Sequence, residues 1–273
     1  MAQRAVFFDI DGTLWDYEQK IPDSLKTALE KLHAAGNLGF ICTGRTRSTV
    51  QDEKLLGLGF DGILAGCGTH IEMGGELLFS RYMEWEELQE ICGKLKAVGI
   101  GVFAEGESAL YIDWDYFDGQ EYAEGFRNRT DVCVKGLTEL TPESKINKLS
   151  VDFLGIPVQT LLDAVDADRY EIILHDMTNQ GDESCHVAEL VPKGFTKATG
   201  IEWICNHLGI AHEHTYAFGD SANDLEMLSY AACGIAMANG NDCAKAAAQV
   251  VCESVMEDGI YKEMQRQGLY IRA

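Results

Sequence analysis

Residues 5–14 read AVFFDIDGTL, and this stretch decides the fold. Ala5, Val6, Phe7 and Phe8 form an apolar run that continues through Ile10, with Asp9 and Asp11 on either side of that isoleucine. A short continuous apolar run ending in acidic residues is the pattern of a strand buried on both faces, as in parallel sheets covered by helices. In an extended chain, residues two apart point to the same side. Asp9 and Asp11 can therefore face one reaction centre while Ile10 packs elsewhere, and Gly12 permits the turn by which the chain leaves the sheet.

The pattern outside this stretch agrees with it. Leu25, Ala28, Leu29 and Leu32 share one face of a helix that Gly36 and Asn37 stop. A strand is expected at 38–43, a helix at 47–56 and a strand at 60–65. After about Tyr82 the pattern changes to a helix at 86–97, strands at 101–104 and 109–113, and a helix at 116–127. A strand at 145–153, a helix at 158–165 and strands at 170–174 and 186–191 follow. Strands joined by tight turns imply antiparallel pairing and a different kind of layer. From Phe195 the alternation of helix and buried strand returns. The expectation is an α/β protein with a Rossmann-like parallel sheet core flanked by helices, made of residues 1–82 and 193–273. Residues 83–192 form an inserted α+β cap domain over the ends of the sheet.

The chain has 273 residues, 46% of them hydrophobic and 24% charged, which suits a globular protein rather than a disordered one. Its 44 acidic and 22 basic residues give a formal net charge of −22. Such a surface repels nucleic acid and anionic membranes, so neither is an expected partner. It also repels phosphorylated substrates at long range, so a site for them needs local cations. Nine cysteines occur without a CxxC pair, and no signal-peptide core or membrane span is visible. A reducing cytoplasmic location is expected, with Cys42, Cys205, Cys233 and Cys252 as small core residues. The Asn128-Arg129-Thr130 sequon then has no meaning.

Four groups of polar residues each follow an expected core strand or open a helix, where open α/β sheets bind ligands. Asp9 and Asp11 come first. Two close carboxylates can divide nucleophilic and acid–base work when their surroundings separate their pKa values, although a lone pair would also suit turn capping. Thr43, Gly44 and Arg45 then offer a hydroxyl, backbone N–H groups and a guanidinium to an oxyanion. Lys197 opens a helix, and Asp220, Asn223 and Asp224 lie in the run GDSAND at 219–224. Four carboxylates at the ends of one sheet need neutralising. A hard divalent cation with oxygen ligands does this, and Mg²⁺ suits a site shared with a substrate phosphate.

These motifs resemble those of the haloacid dehalogenase-like (HAD) hydrolases. The match is closest to the Cof-type phosphatase branch with a large α/β cap (C2B type), and the run AMANG at 236–240, Lys245 and DGI at 258–260 resemble that branch as well. The resemblance implies that Asp9 attacks phosphorus and that Asp11 protonates the leaving oxygen, then activates water. It implies that Thr43 and Lys197 hold the phosphoryl group. Asp9, Asp220 and the Asp11 carbonyl would ligate Mg²⁺, with Asp224 near the metal, Asn223 positioning Lys197 or phosphate, and Asn239 touching phosphate. Lys193 lies close by in sequence, but Lys197 has the family's spacing. The branch often shows Asn-Gly where this chain reads AGCGTH at 65–70, a departure near the cap hinge.

Two other patterns carry no function. GLGFDG at 57–62 fits GxGxxG but follows a helix and enters a strand, the reverse of a dinucleotide fingerprint. His212 and His214 lack the companion ligands of a zinc site. Trp114, Tyr116, Phe117 and Tyr122 suit either a substrate pocket or packing under the cap. The expected function is Mg²⁺-dependent hydrolysis of small phosphorylated metabolites, such as sugar phosphates, through an aspartyl-phosphate on Asp9. A phosphomutase and a non-catalytic phosphometabolite-binding module are the alternatives. Substrate identity and oligomeric state have no readable signal.

Overall fold

The computed structural model describes residues 3–175 and 186–272. The chain divides into two compact units. The first comprises Met1–Gly44, Asp52–Phe79 and Thr196–Ala273, and the second comprises Arg45–Gln51 and Ser80–Phe195.

In chain order the first unit opens with β1 (Ala5–Phe8), α1 (Asp23–Ala34) and β2 (Leu38–Cys42). A 3₁₀ turn at Arg47–Thr49 belongs to the second unit, after which the first unit goes on with α2 (Glu53–Leu56), β3 (Gly62–Ala65) and the pair β4 (His70–Met73) and β5 (Glu76–Ser80). The second unit carries α3 (Trp85–Ala97), β6 (Gly101–Gly106), β7 (Leu110–Ile112), α4 (Trp114–Phe117), α5 (Glu121–Arg127) and β8 (Val134–Gly136). It continues with β9 (Ile146–Asp152), α6 (Val158–Ala164), β10 (Tyr170–His175) and β11 (Val187–Pro192). The first unit resumes with α7 (Lys197–Leu208), β12 (Thr215–Gly219), α8 (Leu225–Tyr230), β13 (Cys233–Met237), α9 (Asp242–Ala247), β14 (Val250–Cys252) and α10 (Gly259–Arg266).

The first sheet has the order β14-β13-β12-β1-β2-β3-β4-β5. Its members from β14 to β3 pair in parallel, with Ala5 beside both Leu38 and Thr215. Central β1 is buried along its whole length because helices cover both faces. Phe7 stacks on Phe40 with ring centres 5.3 Å apart, and Phe8 on Phe218 at 5.2 Å. Ile201, Ile204 and Cys205 of α7 pack into the same core as Phe7 and Phe40. The apolar face of α1 is the expected one, with Leu25, Ala28, Leu29 and Leu32 buried.

Several elements differ from the sequence reading for local reasons. The sheet is parallel only in part, because β4 returns antiparallel to β3. Gly74 and Gly75, both at positive φ, supply the tight turn between β4 and β5. The helix expected at 47–56 is a 3₁₀ turn and one short helix, since the Asp52 carboxylate caps the Leu55 N–H at 2.8 Å. The helix expected at 116–127 is broken between α4 and α5, where Gly119 takes φ +75°. The eight described cysteines are free. Cys42, Cys205 and Cys252 are buried, whereas Cys233 is half-buried. No helix among the described residues is long and apolar enough to cross a membrane.

The second unit's sheet runs β10-β11-β9-β6-β7-β8 and is antiparallel except for β7 with β8. The period-2 alternation of strands sorts its two faces. Val102, Ala104, Leu149 and Val151 join Leu88, Ile91 and Leu95 of α3 and Leu161 of α6 in one apolar core. Phe103, Glu105, Lys148, Ser150 and Glu189 line a cavity of about 610 Å³, together with Arg45, Tyr122 and Phe126. Within it the buried Lys148 ammonium lies 3.2 Å from Glu105 and 2.9 Å from Glu189, and His175 lies 3.1 Å from the same Glu189 oxygen. Burial alone would raise the Glu189 pKa, but Lys148 and His175 hold the carboxyl well below the usual range.

Removing one member of a buried ion cluster strands the others. Lys148→Met is therefore expected to destabilise the protein by about 3–5 kcal/mol, read from denaturant unfolding of the second unit. The triple variant Glu105→Gln, Lys148→Met, Glu189→Gln should recover most of that loss, since no uncompensated charge remains. A triple variant as unstable as the single one would contradict this account.

Candidate active site

The site is built where β1 ends. The Asp9 N–H continues the ladder by donating to the Phe218 carbonyl of β12 at 3.0 Å, after which the chain turns. Thr13, Leu14 and Trp15 donate their N–H groups to the Ile10 carbonyl, and Gly12 sits at φ +75°. A Cβ on Gly12 would lie 2.3 Å from the Asp220 carboxylate. Gly12 is thus required twice, for its dihedral and for the approach of Asp220.

Lys197 is the first residue of α7, which Thr196 caps by accepting the Thr199 N–H at 3.2 Å. The cap starts the helix at the point that aims the lysine inward. Lys197 is only 1% exposed, and its ammonium donates to Asp9 at 2.7 Å, Asp224 at 2.5 Å and Asn223 at 3.4 Å. The other Asp224 oxygen accepts the N–H groups of Asp220 and Ser221 at 2.9 and 3.0 Å, which fixes the loop after β12. Asp220 accepts from the Thr13 hydroxyl at 3.2 Å and the Tyr17 phenol at 3.0 Å. Asp11, half-buried, accepts from the Trp15 indole at 2.9 Å.

Asp9, Asp220 and Asp224, all buried, each bring an oxygen within 4.8 Å of the others. This is more negative charge than Lys197 balances. Burial pushes the Asp9 carboxyl well above the usual carboxylate range; Asp224, Asp220 and Asp11 add to this, and Lys197 opposes it. Burial and Asp224 likewise push Asp220 up to about 7. Burial would lower the Lys197 pKa, but Asp224 and Asp9 outweigh it and keep the ammonium charged. An all-oxygen donor set with surplus negative charge fits a hard divalent cation such as Mg²⁺.

Asp9, Lys197, Asp220, Asn223 and Asp224 thus converge. Thr43 is buried just after β2, the neighbour of β1, with its N–H on the Leu64 carbonyl at 2.8 Å, and Gly44 follows it. Arg45 belongs to the second unit and lines the cavity there. Asn239 serves the main chain. It donates to the Gly12 carbonyl at 2.7 Å and accepts the Val255 N–H at 3.1 Å, which holds the turn after Asp9. Lys193 pairs with Glu171 at 3.1 Å in the second unit, so the lysine beside Asp9 is Lys197. Thr13 and Tyr17 were not singled out in the sequence. Thr13 lies inside the quoted motif, whereas nothing in the local pattern marks Tyr17.

The sequence profile of the haloacid dehalogenase-like hydrolases matches residues 6–264. The chain belongs to that family. A 5-amino-6-(5-phospho-D-ribitylamino)uracil phosphatase, YitU of Bacillus subtilis (strain 168), is 27% identical over 93% of this HAD-like chain and 94% of its own length. The chloroplastic endoribonuclease YBEY of Arabidopsis thaliana is 24% identical over 96% of this chain, which spans only 46% of that protein. The solved structure of the HAD subclass IIB sugar phosphatase BT4131 superposes with a TM-score of 0.79 at 28% identity, covering 98% of this chain and 100% of that one. The protein is thus a hydrolytic enzyme of the HAD family, aligned with its Cof-type phosphatase branch.

Gly12→Ala should displace Asp220 and strain the turn, at a cost of about 1–3 kcal/mol, measurable in thermal or denaturant unfolding. Wild-type stability in that variant would show that the turn relaxes without disturbing the carboxylates.

Proposed function

We propose that this enzyme is a Mg²⁺-dependent phosphatase of small phosphorylated metabolites that works through an aspartyl-phosphate on Asp9. The observation that carries the reading is the buried Asp9 carboxylate, held by Lys197 beside two further buried carboxylates. The activities named for YitU and BT4131, both dephosphorylating small organic molecules, support the substrate class.

Each residue has a role in this reading. Asp9 attacks phosphorus and splits one difficult displacement into two easier ones. Lys197 fixes the Asp9 rotamer and offers its charge to the incoming phosphoryl group. Asp11 protonates the departing oxygen and then takes a proton from water, with the Trp15 indole aligning its carboxylate. Thr43 supplies a hydroxyl donor to the phosphoryl oxygens. Asp224 is a strut that holds Lys197 and the loop bearing Asp220. Asp9, Asp220 and the Asp11 carbonyl would hold Mg²⁺, which neutralises phosphoryl charge when bound. The free cysteines accord with a reducing, cytoplasmic setting.

Purified protein should release phosphate from p-nitrophenyl phosphate with Mg²⁺ and lose that activity in EDTA. Asp9→Asn should lower kcat by on the order of 10⁴–10⁶-fold, as removal of a nucleophile does. Full activity in that variant would remove Asp9 from the mechanism. A pH dependence follows from the raised Asp220 and Asp9 pKa values. Protons compete with the cation below about pH 7. Without cation, the stabilisation tied to protonated Asp220 is present at low pH and lost as pH rises through about 7. The rise in Tm on adding Mg²⁺ should therefore be larger at pH 8 than at pH 6, and the opposite order would refute the assignment.

A further inference from the structure

Tyr17 stands apart from the other groups around the carboxylates. The residue is 68% exposed, yet its hydroxyl reaches the carboxylate of Asp220, a residue only 1% exposed. The backbone presents it firmly. Asp16 closes a turn by accepting the N–H groups of Glu18 and Lys20, both at 2.9 Å, while Gln19 takes φ +60° and donates to the Asp16 carbonyl at 2.8 Å. Tyr17 is therefore held at the start of a rigid turn with its side chain laid over the acidic cluster.

The two hydroxyl donors on Asp220 are not equivalent. Thr13 reaches Oδ1 from the fully buried turn after Gly12 and is fixed by the fold. Tyr17 reaches Oδ2 from the solvent side. A phenol pointing its proton at a carboxylate oxygen satisfies it when no cation is near, which offsets the cost of burying that charge. A cation approaching the same oxygen meets the positive end of that O–H dipole. Rotation of an exposed aromatic side chain is fast and needs no backbone opening.

We infer that Tyr17 is a positioning residue that gates the cation site. Its phenol holds Asp220 Oδ2 in the cation-free enzyme and gives up that oxygen when the cation enters. The inference rests on the reading of Asp220 as a cation ligand. It goes further in assigning to an exposed tyrosine the balance between the empty and loaded states. Removing the hydroxyl penalises only the cation-free state, so the apparent affinity for the cation rises.

The test is Mn²⁺ binding without substrate, by calorimetry and by electron paramagnetic resonance of the free ion, in wild type and Tyr17→Phe. The variant keeps the ring and loses only an exposed side chain's hydroxyl. A melting curve confirms that it is folded. Mn²⁺ should bind the variant about ten-fold tighter, the order expected for one lost hydrogen bond to a charged group. The tyrosine ultraviolet difference spectrum produced by Mn²⁺ in wild type should vanish in Tyr17→Phe. Unchanged or weaker binding by the variant, or a difference spectrum that persists in it, overturns the gate while leaving the cation site intact. Failure of wild type to bind Mn²⁺ overturns the cation site and the gate together. Phosphate release from p-nitrophenyl phosphate, assayed separately, tells that failure from one of the phosphatase reading as a whole.

Discussion

The Lys197 ammonium is the charge on which the first unit's site depends. Three carboxylates are packed at the ends of β1 and β12, and desolvated like charges this close repel strongly. A fully buried lysine that donates to two of them and to an asparagine makes the arrangement tolerable. It also sets the direction of each carboxylate. Asp224, tied to Lys197 on one oxygen, uses the other to hold the main chain of Asp220 and Ser221. The position of Asp220 is thus inherited from the lysine through the strut between them. The imbalance that remains suits a further positive charge, and the −22 net charge of the whole chain favours a cation at long range as well.

Much of this was legible in the sequence because the signals are short-ranged. The apolar run before Asp9, the Gly12 turn and the Thr196 cap are each decided within a few residues, and so are the strands and helices they start. The hairpin of β4 and β5 was equally local, with Gly74 and Gly75 between the two strands, but the buried strands before it set an expectation of parallel pairing. Asp52 and Gly119 act as punctuation, and each shortened a helix that periodicity alone would have extended. Asn239 shows the limit of motif reading. Its place beside the family pattern implies phosphate contact, and nothing in that pattern shows that its amide also ties the carbonyl of Gly12 to the N–H of Val255.

What was not legible depends on residues far apart in sequence. Tyr17 reaches Asp220 across 203 positions, and no local pattern announces it. Arg45 follows Thr43 and Gly44 closely in sequence, yet it is grouped with the second unit, because the stretch from Arg45 to Gln51 is part of that unit. The Lys148 cluster is hidden for another reason. Glu105, Lys148 and Glu189 lie on three different strands, and on each strand a charged residue in the alternation looks like an ordinary solvent-facing position. Only the pairing of β6, β9 and β11 brings them to one face.

The separation of Asp9 from Lys197 by 188 positions has a consequence for how the chain comes into being. During synthesis Asp9 emerges first, and the whole second unit must follow before its counter-charge exists. Until then Asp9 is an ordinary solvated carboxylate on an unpaired strand, and β1 lacks β12, its neighbour on one side. Long-range pairings of this kind form late, because loop-closure entropy must be overcome before the contacts reward it. Domains tend to fold as units as they leave the ribosome. The inserted unit can therefore complete its own core while the first unit is still open, and the interval before α7 arrives is when the chain's exposed strand edges most need protection.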